Sequence, residues 1–315
     1  MWQVSGAHGR IEREQALDSM AAHVDAGFTT WDLADHYGPA EDFVGEYRRR
    51  YVAERGEPAL AGLQFCTKWV PRPGAMPRAV VEAAIATSRR RMATETLDLL
   101  QFHWWDYADR RYLDALARLA DLRDAGAIRH LGLTNFDTER LAGILDHGIR
   151  IVSNQVQFSL IDRRPEVRMA PLCRARGVQL LAYGTVCGGL LSERYLGQPE
   201  PRGSALNTAS LQKYARMVDA WGGWRLFQEL LAALREVAAR HAVSIPTVAV
   251  RWVLDRPAVA GAILGRRLGL TDHRADNARV FAVALDAEDR QRIDVVLARS
   301  RDLLGAIGDC GDEYR

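Results

Sequence analysis

The sequence of 315 residues is poor in cysteine, and its four cysteines lie far apart in the chain. Cys66, Cys173, Cys187 and Cys310 form no Cys-x-x-Cys pair and no Cys/His set with the spacing of a zinc site. Neither a disulfide framework nor a structural zinc site is therefore indicated as the basis of the fold. We expect free thiols, with Cys66 inside a strand as part of the core.

An excess of charge of one sign is also missing. Lysine and arginine total 42 against 40 for aspartate and glutamate, a net charge of +2, and no long basic stripe typical of nucleic-acid binding is present. No run approaches the ~20 apolar residues of a membrane span, and no basic segment followed by an apolar run marks a secretory leader. We therefore expect a cytoplasmic protein without nucleic-acid or membrane partners, and the sequence leaves its oligomeric state open.

A Gly-x-Gly-x-x-Gly motif after the first strand is absent too, which removes the main argument for a Rossmann domain. The sequence instead alternates strand-like and helix-like segments, with glycines after several helices. This alternation favours a parallel sheet closed into a (β/α)8 barrel (TIM barrel), as a single domain over 1–315. Seven strands are predicted, and an eighth would have to come from the first few residues; the seven are 28–32, 63–68, 97–103, 128–133, 150–155, 178–183 and 259–264.

Two parts of the chain exceed a minimal barrel. Residues 184–224 are rich in glycine and proline and show no clear strand–helix unit, so we expect a long functional loop there. Apolar residues at helical spacing predict extra helices at 224–241 and 286–304. The second of these helices opens a C-terminal segment, 286–315, which ends in a polar tail.

Polar, ionisable residues close three of the predicted strands. Asp32, Lys68 and His103 end the strands at 28–32, 63–68 and 97–103, and Tyr37 follows Asp32 in the next turn. In a parallel barrel the strand ends lie on one face, so we expect these four side chains to meet. Each residue alone has an ordinary structural explanation as a cap, a core residue or a solvated charge. No ligand spacing supports a metal site among them.

The four residue types suit the reduction of a carbonyl, which needs a hydride on carbon and a proton on oxygen. A free tyrosine has a pKa of ~10 and is a poor acid–base catalyst near neutrality. A nearby ammonium stabilises the phenolate, and a carboxylate beside the ammonium keeps it charged. Tyr37 with Lys68 and Asp32 is expected to be that arrangement, with His103 orienting the carbonyl oxygen.

Ordered motifs along nearly the whole chain resemble those of the aldo-keto reductase family, which are NADPH-dependent barrel oxidoreductases. The stretch from Ala26 to Gly38, followed by Glu41 and Gly45, is similar to the first signature of the family, and Ala125 to Phe136 to its "G-x-I-R-x-x-G-x-S-N-F" stretch. Further matching blocks are Thr67-Lys68, Phe102-His103-Trp104, Asn154 to Gln157, Ala182-Tyr183 and Gly188 to Leu191. The chain as a whole looks most like a plant, fungal and bacterial subgroup without an assigned substrate.

The resemblance implies a nicotinamide cofactor. Thr134, Asn135 and Gln155 would bind its carboxamide, although Thr134 and Asn135 would also suit a turn or a helix cap. Tyr183 would stack on the nicotinamide, unless it is an ordinary core residue. Backbone N–H groups would approach the pyrophosphate in the following loop, where glycine permits close approach; the residues are Gly184, Thr185, Gly188, Gly189 and Leu190.

The end of the last predicted strand is expected to hold the other end of the cofactor. Guanidinium groups suit a 2′-phosphate, so Arg266 and Arg267 favour NADPH over NADH, unless they are surface charges. Gly265 precedes them, His273 would add a contact, and Asp276 and Asn277 resemble the family's pair at the adenine ring. Trp104 and Trp105, directly after His103, are expected to wall the substrate pocket, although tryptophan is also a common core residue.

The chain departs from the family at its start. The family usually opens with a β-hairpin and a first strand that ends in "G-x-G-T-W", whereas this sequence begins Met1-Trp2-Gln3. We therefore expect the hairpin and most of the first strand to be absent. Two functions stay open at this point. One is NADPH-dependent reduction of an aldehyde or ketone with Tyr37 as the acid. The other is a catalytically weak or inactive nucleotide-binding barrel that acts as a redox-sensing or scaffold subunit.

Overall fold

The computed structural model describes residues 1, 4, 11–265 and 267–314. Most of the stretch expected to supply an eighth strand, and the predicted cofactor residue Arg266, lie outside the described residues. The chain divides into two compact units. The first unit comprises 1–155, 265–272 and 314–315, and the second comprises 156–264 and 273–313. That the whole chain is one domain stays a prediction.

The first unit alternates strands and helices in chain order. Its strands are β1 (Thr30–Asp32), β2 (Gln64–Trp69), β3 (Leu97–Phe102), β4 (Ile128–Thr134) and β5 (Ser153–Gln157), of which the last two residues fall in the second unit. Its helices are α1 (Arg13–Asp25), α2 (Ala40–Arg55), α3 (Arg78–Arg91), α4 (Tyr112–Asp124) and α5 (Thr138–Asp146). Consecutive strands from β1 to β5 pair in parallel.

Two residues of the first signature have packing roles in this unit. Glu41 on α2 is buried, and its Oε1 accepts a 2.8 Å hydrogen bond from Thr67 Oγ1 on β2. Gly45 lies against α3, where an added Cβ would stand 2.0 Å from the Arg91 carbonyl oxygen. Because α2 can approach α3 this closely only with glycine at 45, part of the signature is explained by helix packing.

The second unit is richer in helices. Its strands β6 (Gln179–Tyr183) and β7 (Val259–Ile263) pair in parallel. Its helices are α6 (Arg164–Val167), α7 (Met169–Arg176), α8 (Ala209–Trp221), α9 (Gly223–Arg240), α10 (Ile245–Leu254), α11 (Arg274–Arg279), α12 (Ala287–Leu297) and α13 (Leu303–Ile307). The predicted extra helix at 224–241 corresponds to α9, and the one at 286–304 divides into α12 and α13.

Helix α8 was not expected from the sequence, because it lies inside the glycine- and proline-rich segment 184–224. The Thr208 side chain accepts from the Leu211 N–H and caps the helix. Its buried face carries Leu211, Tyr214, Val218 and Trp221 at helical spacing. These side chains join a core that α9 and α10 also supply, so that burial of apolar surface holds α8 in place.

Of the helices in the described part of the chain, none combines the length and the apolar composition needed to cross a lipid bilayer.

Candidate active site

A buried ion pair joins the first two strands of the first unit. Lys68 Nζ donates to Asp32 Oδ2 over 2.5 Å and to the Leu33 carbonyl oxygen over 2.9 Å. Asp32 pairs with Cys66 across the β1–β2 ladder. Side chains two residues apart on a strand share a face, so Lys68 is placed to reach the Asp32 carboxylate. Only 4% of the Lys68 side chain is exposed.

Each partner of this pair keeps the other charged. Burial would by itself raise the pKa of the Asp32 carboxyl and lower the pKa of the Lys68 ammonium. In both residues burial is the largest single influence, but the partner's charge, other nearby charges and hydrogen bonds together outweigh it, so the pKa of Asp32 lies below its usual value and that of Lys68 lies above. Lys68 therefore carries a positive charge at neutral pH although it is buried.

Tyr37 lies beside this pair. The Lys68 ammonium stands 5.3 Å from the centroid of the Tyr37 ring. Burial raises the pKa of the Tyr37 phenol above its usual value, and the Lys68 charge opposes this rise without cancelling it. From the sequence, only the lowering of this pKa by Lys68 is expected. The structure shows that Tyr37 is also buried. Burial raises the pKa of the phenol, which therefore stays protonated at neutral pH.

His103 follows β3 and is also buried. Its backbone N–H donates to the Trp69 carbonyl oxygen over 3.0 Å, which continues the ladder from β2. Its ring centroid lies 4.3 Å from that of Trp105. Trp105 is 44% exposed, and Tyr314 makes an edge contact with it at 6.4 Å between ring centroids.

The two tryptophans predicted to wall a pocket have different surroundings. Trp104 is fully buried, and its Nε1 donates to the carbonyl oxygens of Asp106 and Asp109 over 2.7 and 2.9 Å. It thus fixes the turn after β3. Trp105 is the one whose ring is accessible to a ligand.

The other oxygen of the Asp32 carboxylate, Oδ1, binds two glutamines. One of them, Gln101, was not predicted from the sequence. Asp32 Oδ1 accepts from Gln101 Nε2 and from Gln155 Nε2, both over 2.8 Å. Gln155 Nε2 also donates to Gln101 Oε1 over 2.7 Å. Gln101, on β3, is fully buried. In the sequence, Gln101 is a lone amide in the apolar run Leu99-Leu100-Gln101-Phe102. This pattern alone does not indicate which residue the amide would bind.

Thr134 and Asn135 lie beside Gln155 at the end of β4. Thr134 Oγ1 and the Asn135 N–H both donate to the Gln155 carbonyl oxygen, over 3.3 and 2.9 Å. Asn135 has a φ of 58°, in the left-handed region. The cap of α5 is Asp137, whose side chain accepts from the Arg140 N–H. The alternative that Thr134 or Asn135 caps this helix is therefore not supported.

In the second unit, Tyr183 ends β6 within a group of charged residues. Its hydroxyl donates to Glu313 Oε1 over 3.0 Å, and Lys213 Nζ lies 5.2 Å from its ring centroid. Arg164 Nη2 donates to Glu313 Oε2 over 2.9 Å and to Asp162 Oδ2 over 2.8 Å. Burial would raise the pKa of Glu313, but the charges of Arg164 and Lys213 together with hydrogen bonds bring it below its usual value.

The glycines predicted to approach a pyrophosphate follow Tyr183, and two of them lie against Tyr214 of α8. A Cβ at Gly184 would come within 2.2 Å of the Tyr214 hydroxyl, and one at Gly188 within 3.0 Å of its ring. A Cβ at Gly189 would meet nothing within 4 Å. Thr185 and Leu190 are buried. Of the three glycines, Gly189 is the one with open space beside it.

The residues predicted to hold the far end of the cofactor fall in both units. Gly265 and Arg267 belong to the first unit and are exposed. His273, Asp276 and Asn277 belong to the second. Asp276 accepts hydrogen bonds from Ser244 Oγ over 2.7 Å and Thr247 Oγ1 over 3.2 Å at the start of α10. This gives Asp276 a structural task of its own, whereas His273 is exposed and Asn277 is partly exposed.

Comparison with known proteins adds a family and a fold. The family model described as "Aldo/keto reductase family" matches residues 1–298. "Flagellar radial spoke protein 5" of Chlamydomonas reinhardtii is 32% identical over 260 residues, 70% of this chain and 49% of that protein. "Aldo-keto reductase YhdN" of Bacillus subtilis (strain 168) is 26% identical over 94% of this chain and 88% of that protein. The chain thus spans about half the length of the first relative and most of the second.

A solved structure shows the same fold. The aldo/keto reductase from Klebsiella pneumoniae, crystallised with NADP and acetate, matches with a TM-score of 0.67 and 22% identity. The match covers 90% of this chain and 86% of that one. The predicted fold class, a (β/α)8 barrel, is therefore confirmed.

Proposed function

Since the chain belongs to the aldo/keto reductase family, we propose that it reduces the carbonyl group of an aldehyde or ketone with NADPH as the hydride donor. The observation that carries this proposal is the buried Asp32–Lys68 pair beside Tyr37. Together they offer one proton and a fixed positive charge to stabilise the anion left behind. When bound, NADPH would supply the hydride to the carbonyl carbon.

Tyr37 is the proposed proton donor. Burial holds its pKa above the usual value, so the phenol carries its proton at neutral pH. As negative charge develops on the carbonyl oxygen, the phenolic proton moves to it and a phenolate remains. The Lys68 ammonium stabilises that phenolate, and Asp32 keeps Lys68 charged. His103 is proposed to donate a hydrogen bond that orients the carbonyl oxygen.

Gln155 is suited to the carboxamide of a nicotinamide. Both N–H bonds of its amide are used, one towards Asp32 and one towards Gln101. Its Oε1 is therefore the side-chain atom that would accept a hydrogen bond from the carboxamide NH2. Thr134 and Asn135 adjoin Gln155 through its carbonyl oxygen and are proposed to contact the same group. The open space at Gly189 suits close approach of a phosphate to the backbone.

The experiment is a comparison of Tyr37→Phe with Tyr47→Phe. Tyr47 is a buried tyrosine of α2 that packs on Phe65, so its variant loses a hydroxyl away from the proposed acid. On a panel of aldehydes and ketones, we expect Tyr37→Phe to lose at least about 100-fold in turnover, with NADPH affinity kept. Tyr47→Phe should retain turnover. Equal turnover of wild type and Tyr37→Phe would refute the mechanism.

The choice of NADPH over NADH rests on Arg267 and on the relative crystallised with NADP. Arg267 is exposed and lies two residues after Gly265, and a 2′-phosphate would form charge-assisted hydrogen bonds with its guanidinium group. Titration with both cofactors, followed by quenching of tryptophan fluorescence, tests the choice. We expect tighter binding of NADPH, and Arg267→Ala should remove most of the difference between the two cofactors.

A second candidate is a non-catalytic role as a nucleotide-binding subunit of a larger assembly. The observation that favours it is the relative named as a flagellar radial spoke protein, which is 32% identical. Cofactor binding without turnover on the whole carbonyl panel would support this role. Turnover that depends on Tyr37 would exclude it as the main function.

A further inference from the structure

Gln101 forms an amide bridge at the centre of the candidate active site. Its Nε2 donates to Asp32 Oδ1 over 2.8 Å, and its Oε1 accepts from Gln155 Nε2 over 2.7 Å. The side chain has no exposed surface. Burying an amide is unfavourable unless its polar atoms find partners, and here the partners are the carboxylate that holds Lys68 and the amide proposed to bind the nicotinamide.

The bridge fixes the orientation of both neighbours. Three donors divide the two oxygens of Asp32 between them, with Lys68 on Oδ2 and the two glutamines on Oδ1. The carboxylate plane is thereby set, and Oδ2 is directed at the ammonium. Gln155 in turn donates to Gln101 through its Nε2. This fixes the orientation of the Gln155 amide and leaves its oxygen to accept a hydrogen bond from a ligand.

We infer that Gln101 is a positioning residue that couples the proton-donating group to the nicotinamide-binding amide. It acts through Asp32 on Lys68 and Tyr37, and through Gln155 on the cofactor. The inference rests on the proposed function, because the second arm needs a nicotinamide cofactor. A methionine at position 101, which has a similar shape, would pack in the same space but would form neither hydrogen bond.

Among the residues that the structure describes, few charged and titratable groups surround this position. Asp32 and the nearby Tyr37 come from β1 and the turn after it, and Lys68 faces Gln101 across the β2–β3 ladder. His103 follows directly after β3, and on the other side β4 presents Gly132, which has no side chain. The Met1 nitrogen lies 2.6 Å from the Asp32 carbonyl oxygen.

The first test compares Gln101→Met, Gln155→Met and the double variant in NADPH binding and in turnover. We expect Gln101→Met to weaken NADPH binding about ten-fold, because Gln155 loses its acceptor. In the Gln155→Met background the same change should have little further effect on binding. The acid limb of kcat/KM should move to higher pH, because Asp32 loses a donor. Additive effects on binding with an unchanged pH profile would overturn the inference.

The matched control is Thr67→Val. Thr67 is a buried neighbour of Lys68 on the opposite face of β2, and its hydroxyl donates to the buried carboxylate of Glu41. The variant also loses one hydrogen bond to a buried carboxylate, but outside the bridge. It should leave NADPH affinity and the pH profile of turnover unchanged. If the pH profile of turnover shifted in Thr67→Val as it does in Gln101→Met, the loss of any hydrogen bond to a buried carboxylate would have this effect. That result would overturn the inference.

The second test, Gln101→Glu, remains decisive if Gln101→Met fails to fold. When protonated, the introduced carboxyl can donate to Asp32 and accept from Gln155, as the amide does. When ionised, it places a second negative charge against Asp32. The turnover of the variant relative to wild type should therefore fall about ten-fold or more between about pH 5.5 and 8.5. A constant ratio over this range would overturn the inference.

Failure of the proposed function gives a different pattern. If wild type binds neither NADPH nor NADH, the proposed function fails and the coupling inferred from it fails as well. If wild type binds and turns over while the Gln101 variants behave like it, the function stands and the inference alone is overturned.

Discussion

The hydroxyl of Tyr214 lies against the backbone of Gly184, so closely that a Cβ at residue 184 would stand 2.2 Å from it. Gly184 also has a φ of 74°, a conformation that residues with a side chain rarely adopt. Helix α8, which carries Tyr214, therefore depends on a glycine in a loop some thirty residues earlier. The glycines of this loop have a packing role as well as the proposed role of approaching a phosphate.

Gly184→Ala should lower the free energy of unfolding by about 3 kcal/mol or more, because backbone strain and overpacking against Tyr214 add. Gly189→Ala is the matched control, since Gly189 also has a positive φ, 101°, but open space around its Cβ position. It should cost about 1–2 kcal/mol. Urea unfolding of the three proteins measures the difference, and equal losses in both variants would contradict the packing role of Tyr214.

Glu313→Gln should destabilise the protein by about 2–4 kcal/mol at neutral pH, because Arg164 loses one of its two buried carboxylate partners. The folded protein holds the pKa of Glu313 below its usual value. The stabilisation is therefore present above the unfolded pKa and is lost as the pH falls through the folded one. The difference between wild type and variant in urea unfolding should stay constant from about pH 7 to about pH 5 and shrink as the pH falls below about 4.

The exposed pair of Glu229 with Arg299 provides the control for this prediction. Glu229→Gln should change stability little, because an exposed ion pair is screened by solvent. A loss as large as that of Glu313→Gln would mean that removal of any carboxylate has this effect, and would contradict a specific role for the buried pair.

Asp32→Asn should leave Lys68 buried without its carboxylate and destabilise the protein by about 3–5 kcal/mol at neutral pH. Burial then lowers the pKa of Lys68 below its unfolded value, so the unfolded state binds more protons and stability rises with pH. In wild type the pKa of Lys68 is raised and that of Asp32 lowered, so this pair adds no such trend. Urea unfolding of the variant at about pH 6 and about pH 9 measures whether its stability rises with pH.

The double variant Asp32→Asn with Lys68→Met is the control. It has no ammonium at residue 68, so the rise of stability with pH should fall back to that of wild type. If the rise persisted, it would have to come from other groups, and the account of the pair would be wrong.

The cysteines should resist alkylation in the folded protein. All four are free and buried, and burial raises the pKa of Cys66, Cys173 and Cys187 to about 12. The reactive thiolate is therefore scarce near neutral pH. Iodoacetamide at about pH 8 should label the protein slowly until denaturant is added, when four thiols should react. Rapid labelling of one thiol in the native protein would contradict its burial.

Much of the fold could be predicted because its signals are local. The seven predicted strands lie within about three residues of β1 to β7, since apolar runs and glycine stops define them. Helix α8 was missed because the glycines and prolines around it dominate the segment. Its cap Thr208 and the spacing of Leu211, Tyr214, Val218 and Trp221 were the signals that could have found it.

The part of the candidate site that lies at strand ends could be predicted from the sequence. Asp32 and Lys68 end neighbouring strands, and the rule for parallel strands suffices to bring them together. Gln101 contacts Asp32 from 69 residues away, and Glu313 contacts Tyr183 from 130 residues away. Such contacts depend on strand register and on the path of the chain, and neither residue carries a pattern that indicates its partner.

The groups that orient Asp32 stand on strands rather than on loops. Lys68 belongs to β2, Gln101 to β3 and Gln155 to β5, whereas Trp105 lies in the connection that follows β3. Connections at a surface accept insertions and substitutions more readily than paired strands do. Under the proposed function, descendants of this gene can therefore acquire new substrate preferences by changing residues such as Trp105, while Asp32 and the strand residues that orient it stay as they are.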